Sequence, residues 1–181
     1  MRPSPVLLAV VVALSGSPAA AQDPSATPAV PSSRRDPEAM NYQLSMEKLR
    51  KLVEVQRQLN PVHNRNPAPF DKMDAEVAAA AKKKGAPLTS AERAAIIDRY
   101  PEVRRVLTGA GTTTRDWVLT AEAMGDAHVG LEMKKGTLPP EAGPPPTTPA
   151  QKANVALLEK NQAEWQKILQ ELERLADELL Q

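Results

Sequence analysis

TTRDWVLTAEAMGDAHVGLEMKK, Thr113 to Lys135, is the stretch whose reading decides the fold. Thr113 followed by Asp116 is a helix-start signal. A hydroxyl at the N-cap accepts a first-turn amide, and an acid stands where Glu or Gln usually closes a capping box. No proline interrupts the stretch. At about 100° per residue, Trp117, Ala121, Met124, His128 and Leu131 share one face. Val118, Leu119, Ala123, Ala127, Val129 and Met133 cover much of the remainder, leaving Glu122, Asp126 and Arg115 as a narrow polar strip. A helix apolar over so much of its circumference is surrounded by others. These residues predict the central helix of an all-α bundle.

Immediately upstream, Thr89 with Glu92 forms a capping box that opens a helix over 89–99 carrying Ala95, Ile96 and Ile97. Pro101, in a first helical position, starts another over 101–109, with Val103, Val106 and Leu107 inward, and Gly109 and Gly111 stop it. Further back, Asp71 caps an alanine-rich helix over 71–84 that ends in Lys82, Lys83 and Lys84 before Gly85, an ordinary basic helix terminus. The first helix, 45–60, takes Ser45 as its N-cap, with Leu44 stapling to Leu49. It carries an apolar stripe of Met46, Leu49, Leu52, Val53 and Leu59, and Pro61 ends it. His63 then falls in a connector, 61–69, as a solvated loop histidine.

Downstream, GTLPPEAGPPPTT (136–148) reads as a proline-rich linker. Thr148 with Gln151, and Pro149 between them, open a long last helix over 149–180. Leu158, Trp165, Leu172 and Leu179 recur every seventh residue, with Asn161, Ile168 and Leu175 as the second set, giving a heptad seam with a polar residue inside it. A continuous helix of that length outruns 113–135 by roughly 15 Å at about 1.5 Å per residue. The first helix or a second molecule must therefore cover its leucines. A monomer with the first helix as cover is favoured, and a homodimer through the C-terminal helix is the alternative.

The N-terminus, MRPSPVLLAVVVALSGSPAAA, matches a secretory signal: Arg2, an apolar run from Val6 to Leu14, helix breakers, and an Ala19-Ala20-Ala21 cleavage site. The expected organisation is a signal peptide over 1–21, a disordered Pro/Ser/Ala/Thr tail over 22–40 and a helical domain of five to six helices over 41–181. That places the mature chain in the periplasm or outside the cell, with no transmembrane anchor. The chain has 23 Lys and Arg against 22 Asp and Glu, no Cys and 18 Pro. The balanced charge gives no footprint for nucleic acid. Absence of cysteine excludes disulfides, thiolate zinc sites and cysteine nucleophiles.

Tyr100-Pro101-Glu102-Val103, Leu107, Ala110-Gly111, Thr113 and Arg115-Asp116-Trp117, with Leu44-Ser45 and Lys48 before them, resemble a group of uncharacterised exported all-helical proteins. In these a Pro-Glu-Val helix, an Ala-Gly stop and a Thr-x-Arg-acid-aromatic helix start follow one another. The resemblance implies fold and export and transfers no site; Thr114 stands where proline is commonly expected. Leu88-Thr89-x-x-Glu92 is also similar to the Leu-Thr-x-x-Gln motif of Spy and CpxP-type periplasmic chaperones, in a single copy with Glu for Gln.

No Gly-x-Ser-x-Gly elbow, HExxH, P-loop, GxGxxG or EF-hand loop is present. His128 is the titratable group on the Trp117–Leu131 face. It is a candidate metal or haem ligand or a general base, or else a core-edge histidine bonded to Asp126, Glu132 or water, which is the favoured reading. Thr89, Glu92, Thr113, Asp116, Trp117, Leu131, Leu158, Trp165 and Leu172 are structural positions. No catalytic residue, cofactor or metal is expected beyond the weak candidate His128. The functional expectation is an exported, non-catalytic protein working through contacts with an unidentified protein partner. The alternatives are a holdase chaperone resembling Spy and a ligand or metal site near His128.

Overall fold

Caps and prolines divide the chain into eight helices among the described residues, which are 36–139, 143 and 145–180 of a computed structural model. They are α1 (Pro37–Asn41), α2 (Met46–Arg65), α3 (Ala68–Lys84), α4 (Ser90–Ile97), α5 (Pro101–Gly109), α6 (Thr114–Lys135), α7 (Pro149–Lys160) and α8 (Gln162–Leu180). No described residue lies in a strand, and no helix among them is long and apolar enough to cross a membrane. The expected export signal over 1–21 and most of the expected tail over 22–40 fall outside the described residues.

The stretch from Thr113 forms the central helix. Thr113 Oγ1 accepts from the Asp116 amide at 3.0 Å, and Gly136 ends α6 in the left-handed conformation. Trp117, Met124, His128 and Leu131 are buried on one side, and Val118, Leu119, Ala123 and Ala127 are buried around the rest. α7, α4, α1, α2 and α5 all pack against α6, which accounts for its all-round apolar surface. The approach of α7 depends on one residue: a Cβ at Gly130 would sit 2.9 Å from both Pro146 Cγ and Val155 Cγ2. The proline-rich segment is therefore packed at Pro146 rather than acting only as a spacer.

Several boundaries differ from expectation. Residues 37–40, placed in the tail, form α1 together with Asn41. Asp36 caps it by accepting the Glu38 amide at 2.9 Å, and Ala39 is buried where α1 packs on α6 and α7. Pro61 does not end α2, which runs on to Arg65. Its ring is exposed, while Leu59, Asn60 and His63 are buried, so packing of the inner face offsets the missing amide hydrogen bond. His63 is therefore a buried helical residue, edge-on to Phe70 with ring centroids 5.1 Å apart, and not a loop histidine. α3 begins at Ala68 behind Pro67, which makes no side-chain cap, so Asp71 sits in the first turn instead of capping it.

The expected single helix over 149–180 is two helices. Asn161 closes α7 by giving both its amide (3.1 Å) and its Nδ2 (2.8 Å) to the Leu157 carbonyl. α7 then packs on α6 and α8 on α2. Leu158, Trp165, Ile168, Leu172, Leu175 and Leu179 are all buried, so the seam is continuous in sequence but divided between two partners. α2, the helix expected over 45–60, does cover the C-terminal leucines.

Candidate functional site: a cleft and a groove flanking α2

The capping positions hold the helices and leave little chemistry over. Thr89 and Glu92 form both halves of their box, at 3.2 and 2.7 Å. Lys84 hydrogen-bonds Glu92 as well, holding that carboxyl below its ordinary range. Thr113 caps α6, but Asp116 does not return to the Thr113 amide. Its carboxylate accepts the Tyr42 hydroxyl, which also lies 3.0 Å from Thr120 Oγ1. Lys48 Nζ sits 3.9 Å from the Tyr42 ring centroid and 3.9 Å from Asp116 Oδ1. Burial, and then the Asp116 carboxylate, push the Tyr42 phenol far above its ordinary value, so it stays protonated and serves as a donor.

Trp117, Leu131, Leu158, Trp165 and Leu172 are core residues. His128 is buried beside the Trp165 ring, with centroids 5.6 Å apart. Burial acts upward on the nearby Glu132 carboxyl, but hydrogen bonds from Thr137 and Lys135 hold it below its ordinary range. Among the described residues no group of three or more His, Cys, Asp or Glu side chains is gathered to hold a metal.

Two concavities flank α2, and His128 lines neither. The first is a cleft of about 180 Å³ between the start of α2 and the start of α6. Leu52, Val55 and Trp117 give it apolar walls; Lys48, Lys51, Glu47 and Asp116 add charge. Lys51 Nζ donates to the Gly111 carbonyl at 3.1 Å, bridging α2 to the turn before α6, where Gly111 takes a φ of +67°. The second is a broader, open groove along α2 and α8. Val53, Ile168 and Ala110 contribute its apolar residues, with Arg50, Glu54, Arg57, Glu164, Lys167 and Glu171 among the charged ones. Arg50–Glu164 at 2.6 Å and Arg57–Glu171 at 2.9 Å tie the two helices together. Hydrogen bonds from Arg174 and Arg57 bring Glu171 down to about 2.

Sequence reasoning missed these two surfaces and a buried polar strip on α2. Gln56 Nε2 donates to Asn60 Oδ1 at 2.9 Å, and Gln56, Asn60 and His63 are all buried. The signal was present: Gln56, Asn60 and His63 recur at helical spacing on the apolar side.

No family model, no curated protein and no solved structure matches the chain.

Proposed function

We propose that this chain is an exported, non-catalytic helical protein that acts through contact with another protein, and that the α2–α8 groove is the contact surface. The observation that supports it is the composition of that groove, in which apolar Val53, Ile168 and Ala110 lie among charged residues of both signs. An apolar centre with a polar rim is how protein interfaces are built. The Arg50–Glu164 and Arg57–Glu171 pairs span α2 and α8, so the surface is preformed and binding does not have to order it. Export is supported by the signal pattern over Met1–Ala21 and by the resemblance to exported helical proteins.

The test is site-specific photo-cross-linking in cells, with the photoreactive residue at Lys167 in the groove or at Ala79, exposed on α3. A discrete adduct from position 167 and none from 79 is expected. Adducts equal at both positions, or none at 167 together with a demonstrated small-molecule turnover, would refute the reading. Mass spectrometry of the extracytoplasmic fraction checks the compartment: the expected mature N-terminus is Gln22, and an intact Met1–Ala21 segment would reject export by cleavage.

A further inference from the structure

Residues 36–44, α1 with its extended flanks, lie across α4, α6 and α7 in the way a short peptide lies on a receptor. Ala39 is the one buried residue of this strap; Pro37, Asn41 and Gln43 are exposed and the other five are half-buried. Among residues 36–44 only Leu44 packs against the main core, and it does so from the edge. The strap is held instead by polar groups, several of which read its main chain. Asn154 of α7, itself 3 % exposed, donates Nδ2 to the Tyr42 carbonyl at 2.8 Å and accepts the Leu44 amide on Oδ1 at 2.9 Å. Thr148 Oγ1 donates to the Met40 carbonyl.

Other contacts read side chains. The Asp36 carboxylate accepts the Ser90 amide at the start of α4 as well as the Glu38 amide. Arg115 of α6 forks Glu38 at 2.9 and 2.7 Å. The Tyr42 hydroxyl donates to Asp116 beside Thr120. Main-chain bonds supplying affinity and spaced side chains supplying specificity is the pattern of peptide recognition. A segment with so few buried apolar side chains opens at lower cost than the whole fold.

We propose that α4, α6 and α7 form a peptide-binding surface, that residues 36–44 occupy it in cis, and that it takes a short segment of a partner protein when the strap lifts. The segment it fits carries an acid, a small residue three positions on and a tyrosine three positions after that, as Asp36, Ala39 and Tyr42 do. A second copy is the poorer source. Leu44, the last bound residue, adjoins Ser45, the cap of α2, so a strap reaching a neighbouring chain would drag its own α2 against it. This surface is separate from the α2–α8 groove, and the inference does not rest on that reading.

The experiment uses an acetylated, amidated and fluorescently labelled peptide of residues 36–44, with binding to the full chain followed by anisotropy. Asp36→Ala with Tyr42→Phe loosens the strap and leaves the surface intact. The peptide should bind this variant saturably and about tenfold or more tightly than it binds the unaltered chain, because each lost charge-assisted bond raises the open fraction. A peptide carrying Tyr42→Phe, or N-methylated at Leu44, should bind more weakly, and a scrambled peptide should not bind. Asn154→Leu added to the loosened chain should also weaken binding; if thermal melts show that it does not fold, the altered peptides decide. In the unaltered chain, the bonded amides of Met40, Tyr42 and Leu44 should exchange with deuterium faster than that of Met124 in α6. The proposal is overturned by exchange of those three amides at the Met124 rate, by no saturable binding to the loosened chain at millimolar peptide, by equal binding of the scrambled peptide, or by unchanged affinity for both altered peptides. A dimer of the full chain that the peptide dissolves would assign the surface to a second copy and overturn the partner.

Discussion

Asn60 Nδ2 donates to the Leu175 carbonyl at 2.5 Å, joining the second half of α2 to the last third of α8 through a hydrogen bond buried from solvent. Asn60 Oδ1 is the acceptor for Gln56 Nε2, while Gln56 Oε1 and His63 Nε2 find no partner among the described residues. Asn60 thus satisfies one donor, Gln56 Nε2, and one acceptor, the Leu175 carbonyl, in an otherwise leucine-lined seam.

Asn60→Leu should therefore destabilise the fold by about 1–3 kcal/mol, because it leaves the buried Gln56 amide without an acceptor. Gln56→Leu with Asn60→Leu should cost less than Asn60→Leu alone, since both buried polar groups are then gone. Chemical denaturation of the set checks this, and a double variant less stable than Asn60→Leu would refute it.

Gly130 and Gly109 give an opposed pair. Alanine at Gly130 would push a methyl to 2.9 Å from Pro146 and Val155, whereas nothing lies within 4 Å at Gly109. Overpacking costs about 1–3 kcal/mol, and the gain in helix propensity returns about 1 of it. Gly130→Ala should lower the melting temperature and Gly109→Ala should leave it level or raise it.

The caps and core of α6 rank in a definite order. Thr113→Ala removes one first-turn hydrogen bond and should cost on the order of 1 kcal/mol. Trp117→Ala empties a large buried site and should cost roughly 3–5 kcal/mol. Melts that rank them the other way would mean that α6 is not the centre of the core.

The parts of this fold that were legible in the sequence are those set by local chemistry. Thr89, Thr113 and Thr148 bond the amides three residues on, as their spacing implies. Legibility ends where tertiary packing decides. Pro61 carries a strong stop signal, overridden because Asn60 and His63 on the opposite face are held against neighbouring elements. The seam from Leu158 to Leu179 reports a buried stripe and says nothing of which partner buries it, so the turn at Asn161 was hidden in an unbroken heptad. Asp116 has the spacing of a capping acid but serves Tyr42, far away in sequence. For the same reason the cleft, assembled from α2 and α6, has no contiguous motif.

The α2–α8 ion network sets an acid limb. Glu171 titrates near 4.5 when unfolded and near 2 when folded, through its Arg174 and Arg57 hydrogen bonds. A depressed carboxylate contributes stability that is present above about 4.5 and lost as pH falls toward 2. Glu171→Gln should flatten the stability–pH curve in that window and change little above it. The group is partly solvated, so the effect at neutral pH is expected to be about 1 kcal/mol or less. Denaturant titrations at several acid pH values measure it.

Helix lengths explain how α2 can cover the C-terminal leucines along their whole run. α2 has 20 residues and α8 has 19, so at about 1.5 Å per residue both run close to 30 Å. The 15 Å overhang expected of an unbroken last helix disappears once α7 is assigned to α6 and α8 to α2. Leu172, Leu175 and Leu179 are buried within the single chain. Each buried leucine contributes about 1.5–3 kcal/mol, so removing all three takes away an amount comparable with the ~5–15 kcal/mol that holds a domain together. Truncation after Leu169 should give a chain that melts far lower or fails to fold, because it also bares Leu59 and Asn60 on α2. Light scattering of the intact protein should return a monomer. An intact dimer that becomes a well-folded monomer on truncation would show that the α8 leucines are shared between chains, and that α2 is not their cover in solution.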